Sequence, residues 1–313
     1  MKKSVHNYPW KLFPVLVLML FLYLPFGYSQ TAWDGSTDTD WYTSDPTATS
    51  YDIYTAEELA GLAELVNGGN KFVGKTVNLM SDVWLNADGS TTNSWPAIGG
   101  LGATGETTTT IVFSGKFDGH HNVIYNLYCD KGEVNGGSYN AGLFGAVQGN
   151  SATDTAVVQN VIVKGAYVRA YSVQAVIVAL AKGSNPILVK NCMAINVEVV
   201  GRNAAGIVSS AYNQSPKLII ENCAVTHGNI WGASASDNGG VGGNMGSTNT
   251  QVRNCYFQGT VNNGAASGGK IVGNYGTMTN CYAASNGGGN GGYHTSTLTS
   301  LDSADMLSDN FWQ

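Results

Sequence analysis

The chain has 313 residues, only 12% of them charged, a formal net charge of −6, and Gly at 41 positions. An acidic chain of this kind excludes nucleic acid as a partner, because phosphate backbones are held by clustered Lys and Arg. Low charge and abundant Gly, set among regularly spaced Val, Ile and Leu, fit an extracellular all-β repeat rather than a disordered chain.

The first 29 residues read as a signal peptide. Lys2, Lys3 and Lys11 precede an apolar run over residues 12–26, and the small residues Gly27 and Ser29 place cleavage after Ser29. The run is short for a membrane span and holds Pro14 and Pro25. The expected mature protein is therefore exported, secreted or held at the cell surface, and not membrane-spanning. Without the three leader lysines it carries 15 − 3 = 12 basic residues against 21 acidic ones, a net charge of −9.

Residues 30–100 form a lead-in segment and a capping helix. Asp34, Asp38, Asp40 and Asp45 lie among Trp33, Trp41 and Tyr42 but match no calcium-loop spacing, so they read as a solvated approach with aromatics packed beneath. Thr55-Ala-Glu-Glu58 is a capping box, and Leu59, Leu62, Ala63 and Val66 make one helical stripe ending at Gly68-Gly69. A solenoid needs such a lid, since an open end exposes apolar core and unpaired strand edges.

Residues 101–295 carry the repeat. Asn126, Asn160, Asn191, Asn222, Asn254 and Asn280 recur at gaps of 34, 31, 31, 32 and 26 (160 − 126, 191 − 160, 222 − 191, 254 − 222, 280 − 254). A period in this range without helical patterning predicts a stacked solenoid. Two residues before each Asn stand Ile124, Val158, Val189, Ile220, Val252 and Met278; one residue after stand Leu127, Val161, Cys192, Cys223, Cys255 and Cys281. Strict alternation cannot bury both rows. The chain must bend at the Asn, the non-Gly residue that best tolerates left-handed backbone. Stacked Asn amides are expected to hydrogen-bond from rung to rung, a structural role. A second strand through Val168, Val199, Ile230 and Val261, and a third near residues 142–145, 205–208, 239–242 and 269–273, complete about six coils. Residues 296–313 then read as a C-terminal cap, with a short helical stretch at 300–307 and Phe311 and Trp312 as a plug.

Five Cys in an exported chain suggest disulfides, but in-register thiols on parallel strands point the same way rather than at each other. Free, buried cysteines are expected. The chemistry of catalysis is sparse: between Thr155 and Ser300 the acids are Glu198, Glu221 and Asp237, which the repeat places on different parts of the coil surface, so no catalytic residue is assigned. Asp118, His120 and His121 sit in Phe-Asp-Gly-His-His, where Asp-Gly marks a tight turn; no metal or cofactor is expected. Position two after the Asn holds Tyr128, Ile162, Met193, Ala224, Tyr256 and Tyr282, an apolar stripe where water favours polar side chains. Trp231 is expected on the same flank, so Tyr256, Tyr282, Trp231 and Tyr128 are the candidate ligand-binding residues.

The segments Thr55-Ala-Glu-Glu-Leu-Ala-Gly-Leu-Ala-Glu-Leu-Val-Asn67, Phe72-Val-Gly-Lys-Thr-Val-Asn-Leu79, Trp95-Pro-Ala-Ile-Gly99, Phe117-Asp-Gly119 and Ala141-Gly-Leu-Phe-Gly145 resemble the GLUG-motif β-helix proteins. Those are secreted or surface proteins of Bacteroidetes and some Gram-positive bacteria, and their motif also occurs in the non-catalytic part of certain IgA peptidases. The resemblance spans roughly residues 33–306. Coil two departs from it, with Gln174-Ala-Val-Ile-Val178 where a Gly-rich stretch is usual, so an altered corner is expected there. The His-Glu-x-x-His motif of metallopeptidases is absent from the sequence. Together with the general preference for right-handed crossovers, the resemblance implies an all-β, right-handed parallel β-helix. The implied function is a monomeric, non-catalytic binding or adhesion module for host or dietary glycan or for a surface protein. A carbohydrate-active enzyme and a structural spacer are the alternatives.

Overall fold

A computed structural model describes residues 31–100, 111–132, 140–211, 217–232, 237–246, 249–263, 269 and 271–285. The signal peptide and the C-terminal cap expected at 296–313 lie outside the described residues. Three parallel sheets make up the protein. The first stacks Ser50–Ile53, Thr76–Leu79, Lys116–Asp118, Ala156–Gln159, Ile187–Lys190, Leu218–Glu221, Gln251–Arg253 and Thr277–Thr279. The second runs from Val83–Trp84 through Val123–Tyr125 with Tyr128–Asp130, Ile162–Ala175, Met193–Ala205, Ala224–Gly232 and Tyr256–Asn263 to Tyr282–Ser285. The third comprises Phe144–Gln148, Val178–Lys182, Val208–Ser210, Gly242–Asn244 and Val272–Asn274. Each strand pairs with its counterpart one coil away, so this is a parallel β-helix. The six coils that start at Lys116 are the expected ones, and two incomplete turns precede them.

The helix Ala56–Asn67 falls between the first two strands of the first sheet. It thus stands where the other two sides of the first coil would be. Its capping box forms as expected, the Thr55 side chain accepting from the Glu58 N–H and the Glu58 carboxylate accepting from the Thr55 N–H. Leu59, Leu62, Ala63 and Val66 are buried and belong to the same continuous core as the strands. The lead-in segment crosses this helix at Gly61, where a Cβ would lie 1.9 Å from the Asp38 carbonyl oxygen. Among the described residues no helix is long and apolar enough to cross a membrane.

The bend at the Asn row is real. Asn160, Asn191, Asn222, Asn254 and Asn280 have φ between 50° and 55°, and the apolar neighbours on both sides of each are buried. Their amides form a one-way ladder: Asn280 donates to Asn254 (3.3 Å), Asn254 to Asn222 (3.1 Å), Asn222 to Asn191 (3.2 Å), Asn191 to Asn160 (3.0 Å) and Asn160 to Asp118 (2.9 Å). Asp118 is an acceptor-only terminus and also receives the Gln159 amide at 2.6 Å and the His120 N–H at 2.9 Å. Burial works to raise its pKa, but these three donors and the adjacent His120 hold it below the ordinary carboxylate value of 3.8. All five cysteines are free and buried. Cys192, Cys223, Cys255 and Cys281 each fill the inward position after the bend, and burial pushes the Cys192 and Cys255 thiols up.

One expectation needs correction. Asn126 is not the first member of this row. Phe117 pairs with Val158, so the coil starting there is 158 − 117 = 41 residues long, and Ile162 pairs with Val123. Two extra residues between Asp118 and Val123 put His121, with φ of 63°, at the first bend. Asn126 follows His121 by five residues and belongs to a second bend, beside Gly165, Asn196 and His227, which follow Asn160, Asn191 and Asn222 by the same five. The corner at Gln174 is altered on its approach: Ala170 pairs with Gly201 and Val173 with Asn203, so this coil takes three steps where the next takes two, and register then holds through Val178, which pairs with both Phe144 and Val208. A side chain differs as well: Gln174 is fully buried and neither of its amide atoms has a hydrogen-bond partner.

Replacing Asn191 by Ala removes a donor and an acceptor in mid-ladder and is expected to cost roughly 1–3 kcal/mol, read as a lower urea midpoint at unchanged slope. Because the folded-state pKa of Asp118 is depressed, its stabilisation is complete above the unfolded carboxylate pKa and lost as pH falls through the folded one. Urea titrations between about pH 7 and about pH 3 should show a smaller acid loss in Asp118→Asn than in the wild type; equal losses would remove the carboxylate from the ladder's end. Gln174→Met keeps the volume and deletes two unpaired polar atoms, and should raise stability by roughly 1–2 kcal/mol, seen as a higher Tm by calorimetry.

Candidate binding groove

The second bend builds a groove. Asn126, Asn196 and His227 adopt φ of 56°, 55° and 53°, and Gly165 adopts 74°. Gly is required at 165 by space as well as backbone, because a Cβ there would lie 2.6 Å from the Asn126 Oδ1. Side chains on either side of this bend line a groove of about 780 Å³ running across the coils from Trp84 to Asn229.

Two in-register columns carry its chemistry. In one, Trp84 pairs with Tyr125 and Tyr125 with Lys164. The Trp84 and Tyr125 rings stack at 4.2 Å between centroids and 13° between planes, and the Lys164 ammonium lies 5.9 Å from the Tyr125 centroid. In the other, Tyr128, Tyr167, Glu198 and Asn229 are successive partners, with Tyr128 and Tyr167 stacked at 5.7 Å and 21°. Asp130 steadies this column: it accepts two bonds from Arg169, at 2.9 and 2.8 Å, and one from the Tyr128 hydroxyl at 3.2 Å. Burial tends to raise the Asp130 pKa, but the Arg169 guanidinium holds it below the usual carboxylate value. Burial and the nearby Asp130 charge push Tyr128 up. The groove is thus aromatic toward the N-terminal coils and amide- and carboxylate-lined toward the C-terminal ones.

One coil departs from the line. Trp84 pairs with Tyr125, and the Trp95 N–H bonds to the Tyr128 carbonyl at 2.6 Å, beside Cys129. The chain takes 95 − 84 = 11 steps between these points where the next coil takes 129 − 125 = 4. The excursion is pinned at its base, Asn86 Nδ2 donating to Asn93 O at 2.9 Å and Asn93 N to Asn86 Oδ1 at 3.0 Å. Asn126 Nδ2 donates to Asn86 O and to Asp88 Oδ1, both at 2.9 Å. Its tip, Asp88, Gly89, Ser90 and Thr91, lines the groove.

The groove contains two carboxylates, Asp88 and Glu198. Asp88 is tied to Asn126, and Glu198 stands two coils further on in a different column, a backbone separation of roughly 10 Å at ~4.8 Å per coil. Among the described residues, no cluster of three or more His, Cys, Asp or Glu could hold a metal ion.

The four candidate ligand-binding residues are not brought together. Tyr128 lies in the groove just described, displaced from the stripe because it pairs with Tyr167 rather than Ile162. Ile162, Met193, Ala224, Tyr256 and Tyr282 do align in register. They line a separate depression with His121 and the Asn ladder, in which Tyr256 is 5% exposed, its hydroxyl has no partner and burial pushes its pKa up. Trp231 is 48% exposed and lies in neither depression; it is seven residues beyond Ala224, the partner of Tyr256 (231 − 224 = 7). Trp84, Tyr125, Lys164, Tyr167, Glu198 and Asn229 were not anticipated. Their sequence signal is the second row of Asn, Gly and His, five residues behind the first, which reveals the second bend.

Fold and groove define a parallel β-helix with an aromatic-lined groove along its coils. One solved structure is similar over 84% of this chain and 86% of its own, with a TM-score of 0.59 and 20% identity: a crystal structure of a "putative immunoglobulin A1 protease" from Bacteroides ovatus. At that identity the likeness concerns the fold alone. The sequence matches no family model and no curated protein.

Proposed function

We propose that this protein is a non-catalytic binding module of the GLUG β-helix kind, exported to the cell surface or beyond, and that the groove from Trp84 to Asn229 takes a glycan. The observation that carries the reading is the pairing of two prestacked aromatic couples with a bank of amides and hydroxyls in one concavity. Apolar faces of sugar rings lie against aromatic side chains, and their hydroxyls need the donors and acceptors that Asn196, Glu198 and Asn229 supply. Stacking in register holds the rings before a ligand arrives, which lowers the ordering cost of binding. Asp88 and Glu198 outnumber Lys164 on the lining, and the chain itself is acidic. An uncharged glycan therefore suits the groove better than a uronate or sulfated chain. The separation of Asp88 from Glu198 favours binding over hydrolysis.

A glycan-array screen of the mature protein, with hits analysed by mass spectrometry, is expected to return neutral glycans bound and uncleaved. Tyr125→Ala and Tyr167→Ala should each weaken binding about tenfold, from roughly 1–1.5 kcal/mol per aromatic contact, in isothermal titration. Tyr282→Ala, in the other depression, should leave the affinity unchanged. Cleaved products would turn the assignment to a carbohydrate-active enzyme.

A further inference from the structure

The two ends of the groove are built differently. Its C-terminal lining, Asn196, Glu198 and Asn229, continues in register onto Thr260, whose hydroxyl donates to Asn229 Oδ1 at 2.9 Å. At the N-terminal end the line of coils stops. The excursion of residues 86–93 leaves the sheet where the groove would otherwise run on, and its tip lines the groove. One coil earlier, among the described residues, there is no second-sheet strand to extend it, because the helix Ala56–Asn67 takes that place.

The excursion is held in place. Reciprocal Asn86–Asn93 bonds close the base of the excursion, the Asn126 amide fastens Asp88 to the second bend, and the Ser90 N–H bonds to Ala87 O at 2.9 Å in the turn. Ser90 and Thr91 add hydroxyls and Gly89 adds open backbone at the tip, groups that suit a sugar's terminal hydroxyls. A pyranose unit in an extended chain advances about as far as one coil, ~4.8 Å, so the four coil spacings from Trp84 to Asn229 accommodate about four units.

We infer that the groove is a chain-end site: a linear oligosaccharide lies along the coils with its terminal unit against residues 88–91, and a chain's interior is not accepted. This rests on the glycan reading above and adds to it the part of the glycan recognised. An interior segment would have to pass through the excursion, whereas a chain end meets it as a stop.

The test is titration calorimetry on the mature protein with linear neutral oligosaccharides from dimer to octamer, cyclic oligosaccharides of the same linkages, and the corresponding long polymers. Affinity for the linear series should rise to about the tetramer and then level. Cyclic compounds should bind at least tenfold more weakly, and polymers in proportion to their number of ends. Equal affinity for cyclic and linear compounds, or polymer binding that scales with mass, would overturn the chain-end inference and leave glycan binding standing. Silence across the whole set would instead overturn the glycan reading, and this inference with it. Deleting residues 89–91 while keeping Asp88 and Asn93 should let long polymer bind by mass, with the melting curve as the check on folding. Ser90→Trp, a point change at the tip, serves if the deletion does not fold. It should weaken oligosaccharide binding at least fivefold, and no effect would mean that the tip does not meet the ligand.

Discussion

Everything in this protein depends on two left-handed bends repeated along the coils, one where the first sheet passes into the second and one within the second sheet at Asn126, Gly165, Asn196 and His227, while the strands beside them pair from coil to coil. A left-handed backbone costs an ordinary L-residue roughly 1–2 kcal/mol, so each bend restricts the side chains that can occupy it. At the first bend the occupants are Asn, with His121 in one coil; at the second they are Asn, Gly and His. The first bend recovers part of its cost through side chains, because stacking places each amide within 3.0 to 3.3 Å of the amide one coil earlier. Among the described residues the second bend has no such ladder. Gly165 interrupts it, its place filled by the Asn126 side chain, and residues on both sides of this bend line the groove. One geometric demand therefore yields a structural spine on one side of the strand and a ligand-sized concavity on the other.

The interior is held together by rows rather than by pairs. Apolar side chains recur at the same place in each coil, and the four thiols after the Asn row behave as one of these apolar rows. Electrostatics adds little. The Arg253–Glu221 pair at 3.1 Å is partly exposed and worth about 1 kcal/mol or less. The Arg169–Asp130 pair matters more for the groove than for the fold, since it orients Tyr128 beneath Tyr167. Gln174 and Asn140 depart from this economy, each a buried amide with neither polar atom partnered, and Gln174 lies against the Gly201 backbone, where a Cβ would sit 2.4 Å from its side chain.

Much of this was legible in the amino acids. Period, parity slip at the Asn, free thiols and capped helix all follow from local rules that stacking reinforces. The groove was harder to see, and one residue shows why. Asn126 sits in Val-Ile-Tyr-Asn-Leu-Tyr-Cys, which copies the apolar pattern around the first bend while belonging to the second. Position along the coil is set by cross-strand pairing, and two extra residues between Asp118 and Val123 shift that pairing without leaving a mark on local alternation. The same shift moved Tyr128 from the stripe of Tyr256 and Tyr282 into the column of Tyr167. Trp84 lay beyond any periodic argument, because the excursion after it makes its coil unlike the others.

The polarity of the Asn ladder sets a direction of growth. Every rung offers its carbonyl oxygen to the rung that follows and its amide hydrogen to the rung before, and the series begins on a carboxylate that can only accept. A coil duplicated anywhere downstream of Asn160 would arrive with both requirements already met by its neighbours. A copy inserted ahead of Asp118 would set an Asn rung beyond the acceptor on which the ladder ends, and one turn further ahead it would meet the helix in place of the second sheet. Lengthening by tandem duplication is thus open at one end of this architecture and closed at the other, and the N-terminal coils that shape the groove are the ones least able to be copied.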